Sequence, residues 1–143
     1  MNAAISNKIL KVGIAGYGTV GKIRHRIADQ HPNMHVTAVC DQLFAGKTPA
    51  LDGVRCWNNY HQLLEEPLDI MFVCLPNYLV PEATIAGLER GLHVFCEKPP
   101  GRDLNDIAMV IACEKKHPGQ KLMYGFNHRY HDSVRDAISI IQS

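Results

Sequence analysis

The sequence predicts an α/β domain built on a doubly wound, mostly parallel sheet, and three observations carry that expectation. Short apolar runs alternate with helical stretches along most of the chain; a glycine loop follows the first apolar run; an acidic residue ends the second. Strands that alternate with helices imply right-handed crossovers and a parallel sheet covered on both faces.

The elements follow in order. The first strand is expected over residues 9–15, and Gly16-Tyr17-Gly18-Thr19-Val20-Gly21 comes directly after it. Each glycine there has a physical job. Gly16 permits the tight turn into a helix, Gly18 lets backbone approach a pyrophosphate, and Gly21 lets the helix over residues 20–29 pack closely on the sheet. That helix aims unpaired N–H groups and its positive dipole end at the phosphates. The second strand, 36–40, ends at Asp41, 20 residues beyond Gly21, where a carboxylate can accept hydrogen bonds from both hydroxyls of an adenosine ribose. The combination reads as a Rossmann dinucleotide-binding domain. It favours NAD over NADP, because the carboxylate repels a 2′-phosphate and Gln42-Leu43-Phe44 supplies no arginine beside it; Lys47 is the nearest cation.

Further strands are expected over 54–57, 70–75, His93–Cys96 and Leu122–Tyr124, with helices over 60–65, 81–90, Leu104–Lys116 and 132–141. The unbroken apolar run Ile70-Met71-Phe72-Val73-Cys74-Leu75 suits a central strand buried on both sides. In the helix from Leu104, the residues Leu104, Ile107, Ala108 and Ile111 fall at i, i+3, i+4 and i+7 and are expected to face inward. Asp103 is placed as its N-cap, Gly91 as a stop for the preceding helix, and Pro118-Gly119 as the stop for the later one. Gly46-Lys47-Thr48 imitates the end of a phosphate-binding P-loop, but the glycine required five residues earlier is Asp41 and Pro49 follows, so that reading is rejected.

At 143 residues, 46% of them apolar, the chain is long enough for one domain with a real core. A net charge of +1 without charged runs gives no electrostatic case for nucleic acid or a membrane surface. Residues 1–8 are short and polar, unlike a signal peptide, and no apolar run approaches a bilayer span. The five cysteines are odd in number and dispersed, which argues against a disulfide framework and for a reducing cytoplasm. His128 and His131 share a stretch of chain but lack further ligands, so no metal site is expected.

Ligands of an open parallel sheet lie beyond the carboxyl ends of its strands. After the fourth strand comes Leu75-Pro76-Asn77-Tyr78; after the fifth, Glu97-Lys98-Pro99-Pro100; after the sixth, Gly125-Phe126-Asn127-His128-Arg129-Tyr130. A lysine desolvated at such a place, beside a cofactor and rigid prolines, exchanges a proton with a substrate hydroxyl as hydride leaves the carbon. The competing reading of Lys98 is a solvated lysine paired with Glu97 at the surface.

The glycine loop with Asp41, the Pro76-Asn77 turn and above all Gly91-Leu92-His93-Val94-Phe95-Cys96-Glu97-Lys98-Pro99 resemble the Gfo/Idh/MocA family of oxidoreductases, from about Lys8 to the end of the chain. The resemblance implies an enzyme with an N-terminal NAD(P)-binding Rossmann domain followed by an α/β substrate domain, acting on a hydroxyl of sugars, sugar nucleotides or cyclitols. It makes Lys98 the catalytic lysine that contacts the reacting hydroxyl. Gly16, Tyr17, Gly18, Thr19, Val20, Gly21, Asp41, Leu75, Pro76 and Asn77 then form the cofactor cleft. Glu97 helps hold the nicotinamide-side ribose, and Asn127 and Arg129 stand near nicotinamide and substrate. Like-charge repulsion from Arg129 would favour a deprotonated Lys98; the competing reading of Arg129 is an ordinary surface arginine. Where many members carry His after the Asn77 turn, this chain has Val80.

The implied organisation is a Rossmann domain over residues 1–130 and the start of a linker helix over 131–143. No residue here matches the family's Asp and His catalytic partners, so the chain is expected to be a truncated form with little activity alone. The partner implied is a small sugar or polyol, with a homo-oligomer for the full-length form. Two other classes stay open: a non-catalytic NAD-binding sensor or accessory module, and a methyltransferase using the same glycine turn and acidic strand end.

Overall fold

The computed structural model describes residues 8–47 and 49–142. Residues 1–7, Thr48 of the rejected P-loop triplet and Ser143 lie outside the described residues.

Six strands form one sheet: β1 (Leu10–Ala15), β2 (Met34–Cys40), β3 (Arg55–Trp57), β4 (Ile70–Val73), β5 (His93–Cys96) and β6 (Leu122–Tyr124). Their order is β3-β2-β1-β4-β5-β6 and every pairing is parallel. Between them run α1 (Thr19–Asp29), α2 (Tyr60–Leu63), α3 (Val80–Glu89) and α4 (Leu104–Lys116), and α5 (Asp132–Gln142) follows β6. The strand order reverses direction between β1 and β4, whose carboxyl ends meet at Gly16, the start of the glycine loop. That is the crevice in which such sheets bind ligands.

Side chains alternate across each strand, so the sheet builds two cores. Val12, Ile14, Val36 and Val39 face one side, where Ala28 of α1 and the loop residues Phe44 and Leu51 cover them. Ala15, Ala38, Met71, Val73, Val94 and Cys96 face the other, under Leu63 of α2, Val80, Ala83 and Leu88 of α3 and Cys113 of α4. Each fully buried Val or Leu stabilises the fold by roughly 1.5–3 kcal/mol, so the strand pattern holds the fold without any covalent link. All five cysteines are free thiols, and burial pushes Cys40 up to about 12 and Cys96 up to about 11.

Most expected elements are present, with adjusted ends. The fourth strand closes at Val73, leaving Cys74 and Leu75 to begin the loop at the crevice. The helix expected over 60–65 keeps its regular part only to Leu63. Asp103 caps α4 as expected, accepting from the N–H groups of Asn105 and Asp106. At Gly91 the backbone turns to φ +77°, which ends α3's last turn at the cost only glycine avoids.

One expectation is overturned. Leu104 is 87% exposed and Ile111 44% exposed, Ala108 faces solvent and Ile107 is half-buried. The buried stripe of α4 is Asp106, Val110 and Cys113 instead. A carboxylate goes inward because Arg102 satisfies it: Oδ2 accepts from the Arg102 backbone N–H and Nε, each at 2.9 Å, and Oδ1 from Nη2 at 3.0 Å. Those bonds hold the Asp106 carboxyl at about 2, well below the usual range.

Candidate cofactor site

The loop from β1 to α1 sets the geometry. Gly16 has φ +91°, and a Cβ there would stand 2.4 Å from the Cys74 carbonyl oxygen, where the end of β1 meets the end of β4. A Cβ on Gly21 would stand 2.1 Å from the Gly16 carbonyl oxygen, so only glycine lets α1 begin this close to the loop. Gly18 differs from both. A Cβ there would meet nothing within 4 Å, so the absent side chain leaves space on the open side of the loop. Gly18 is also the N-cap of α1, with no side-chain cap and no acid in the first turn. The N–H groups of Thr19, Val20 and Gly21 therefore begin a helix whose positive end is available to an anion.

Asp41 is fixed by both of its carboxylate oxygens. Oδ2 accepts the Tyr17 N–H at 2.9 Å and Oδ1 the Leu43 N–H at 3.0 Å. Each oxygen keeps acceptor capacity for a further donor. The Asp41 backbone N–H reaches the Trp57 carbonyl oxygen at 3.1 Å, which ties the β2 end to the β3 end.

A cavity of about 580 Å³ opens here, a size typical of a small-molecule site. Gly16, Gly18, Asp41, Leu75 and Pro76 line it. Its far wall is made by Asn58, Asn59, Tyr60 and His61, beyond β3, and by Tyr78, Leu79 and Glu82, which lead into α3. The Tyr60 hydroxyl donates to Glu82 Oε1 at 2.5 Å; burial, then this carboxylate, push its pKa up. Sequence reasoning missed this wall because no motif marks it. The signal that does exist is positional: β3 pairs with β2, so the residues after β3 border the same crevice as Asp41. The lining carries two carboxylates, Asp41 and Glu82, and neither lysine nor arginine.

Other expected residues stand apart from this cavity. Tyr17, Thr19, Val20 and Gly21 shape the loop without lining it, and Asn77 is exposed between two lining residues. Val80, where the family resemblance leads one to look for His, packs into the core at 2% exposure. Lys98 is exposed, so burial by this chain does not desolvate it, and its bond to Pro99 is cis. The Glu97 carboxylate turns to Arg24 rather than to Lys98: Arg24 Nε donates to Oε1 at 2.6 Å. Asn127 and Arg129 lie in an exposed 3-10 turn over Asn127–Tyr130, with the Arg129 guanidinium 5.8 Å from the Tyr130 ring centre. His128 and His131 stack at 4.9 Å, and no group of three or more metal-ligating side chains occurs among the described residues. No described helix is long and apolar enough to cross a membrane.

A parallel six-stranded sheet in this order, with a glycine loop at its switch point and a carboxylate ending β2, defines a Rossmann nucleotide-binding domain. Residues 10–126 match the model of the Gfo/Idh/MocA oxidoreductase family, described as having an NAD-binding Rossmann fold, and the chain belongs to that family. It is 30% identical over 140 residues to inositol 2-dehydrogenase of Salmonella typhimurium, covering 94% of this chain and 42% of that protein. Against the inositol 2-dehydrogenase/D-chiro-inositol 3-dehydrogenase of Lactiplantibacillus plantarum it is 34% identical over 128 residues, or 85% and 37% of the two chains. The crystal structure of scyllo-inositol dehydrogenase from Lactobacillus casei with bound NAD(H) and scyllo-inositol superposes with a TM-score of 0.82 at 26% identity, covering 94% of this chain and 41% of that one. The chain thus spans about two fifths of the length of these relatives.

Proposed function

We propose that this chain is the cofactor-binding part of an oxidoreductase that passes a hydride between NAD and a hydroxyl carbon of a cyclitol or sugar. The observation that carries the cofactor reading is Asp41, held by two backbone N–H groups at the rim of a cavity whose other rim is Gly18. In that arrangement the remaining acceptor sites of Asp41 take the two ribose hydroxyls. The open space at Gly18 and the uncapped start of α1 take the pyrophosphate. The residues fit NAD better than NADP, because a 2′-phosphate would meet Asp41 and no lining lysine or arginine.

Bound NAD supplies the hydride acceptor. Lys98, one residue beyond Glu97 at the end of β5, takes the proton of the substrate hydroxyl as the carbon gives up its hydride. Asn77, Asn127 and Arg129 sit at neighbouring strand ends and would complete the nicotinamide and substrate side. The exposure of Lys98 suits a site walled on one side by chain beyond residue 130, for which α5 is the connecting helix. Polyhydroxylated rings are the substrate class, by analogy with the inositol dehydrogenases. Five free thiols suit a reducing compartment, the cytoplasm.

Calorimetric titration of the purified chain with NAD tests the cofactor reading, and absence of binding at millimolar NAD sinks it. The catalytic assignment is tested in a protein carrying both domains. There Lys98→Ala should lower kcat by at least about a hundredfold, the scale of a lost general base, while NAD affinity stays nearly unchanged. A loss of NAD affinity with kcat intact contradicts the role.

A further inference from the structure

Arg24 lies on α1, one turn beyond Gly21, and reaches across the sheet end to Glu97. Its Nε and Nη2 both engage Glu97 Oε1, the former at 2.6 Å. The two side chains are only 23% and 14% exposed, so the pair is sheltered from solvent screening. The guanidinium also lies over the Phe95 ring, 4.9 Å from its centre. The other carboxylate oxygen, Oε2, is packed against Gly125, where a Cβ would come within 3.1 Å. The Glu97 backbone N–H donates to the Val73 carbonyl at 2.9 Å, and that of Gly125 to the Cys96 carbonyl at 2.8 Å. Cys74, which lines the cavity, senses both charges: after burial, the Glu97 carboxylate raises its pKa and the Arg24 guanidinium lowers it.

One ion pair therefore joins three segments. These are the helix whose start faces the phosphates, the β5 end that carries Lys98, and the β6 end that leads to Asn127. We propose that Arg24 is a positioning residue: acting through Glu97, it fixes the ends of β5 and β6 at the nicotinamide side of the site. Glu97 serves as the bolt of that junction, since one of its oxygens is held by Arg24 and the other is walled by Gly125. This inference rests on the reading of the cavity as an NAD site.

The test compares two ligands on the purified chain. ADP reaches only the Asp41 and Gly18 side, whereas NAD also needs the β5 and β6 ends. Arg24→Met should weaken NAD at least fivefold and leave ADP within twofold of wild type, and Arg24→Lys should recover part of the NAD loss. Gly125→Ala, whose Cβ would press at 3.1 Å on both Glu97 Oε2 and the Phe95 ring edge and so disturb the same junction from the β6 side, should shift the NAD-to-ADP ratio the same way, and it decides the matter if Arg24→Met does not fold. An unchanged ratio in the folded variants, or equal losses for both ligands, overturns the proposal while leaving the cofactor reading intact. Failure of wild type to bind either ligand overturns both.

Discussion

Gly18 and Gly21 belong to one motif but are glycine for different reasons, and this separates their mutants. Alanine at Gly21 would meet the Gly16 carbonyl at 2.1 Å, so the chain must shift, at an overpacking cost on the order of 1–3 kcal/mol. Alanine at Gly18 meets no protein atom within 4 Å, and its φ of −74° suits any residue. Thermal melts should therefore show Gly21→Ala destabilised and Gly18→Ala near wild type, while titration shows NAD weakened in both. A stable Gly18→Ala that binds NAD normally would mean the space beside it does not hold the pyrophosphate. Asp41→Ala should weaken NAD by about tenfold or more, the worth of a charge-assisted hydrogen bond, and narrow the gap to NADP. These residues were legible in the sequence because each acts through backbone shape or a strand-end position. Arg24 was not, because its meaning depends on a partner 73 positions away.

α4 shows both what local pattern reveals and where it fails. Its N-cap was readable because Asp103 needs only its own helix, and Asp103→Ala should cost about 1 kcal/mol in chemical denaturation. Its buried face does not follow from apolar spacing alone, because a carboxylate with internal partners can also turn inward. Arg102 inverts the outcome by satisfying Asp106 with three hydrogen bonds, so a carboxylate occupies the stripe and Leu104 is left in solvent. The pH consequence has a definite sign. The folded carboxyl sits at about 2, below its unfolded value near 3.9, so its contribution is complete above about pH 5 and fades as pH falls toward 2. Between pH 6 and pH 2.5, wild type should lose more stability than Asp106→Asn. Equal losses would show that Asp106 is not the group responsible.

For the molecule as a whole, topology does what no single motif can. The order β3-β2-β1-β4-β5-β6 places the β1 end between the β2 and β4 ends, so the glycine loop and Asp41 share one crevice although separate strands carry them. The alternation of apolar runs and helices made that architecture readable. The far wall of the cavity was harder to see, since Asn58 to His61 become neighbours of Asp41 only through the β2–β3 pairing. The central claim is that this crevice holds NAD by Asp41 and α1 and disfavours a 2′-phosphate. Parallel titrations of the chain with NAD and NADP test it most directly. The account predicts saturable binding of NAD, with NADP weaker by at least about tenfold, roughly 1.4 kcal/mol. Binding of NADP equal to or tighter than NAD, or of neither at millimolar concentration, would contradict it.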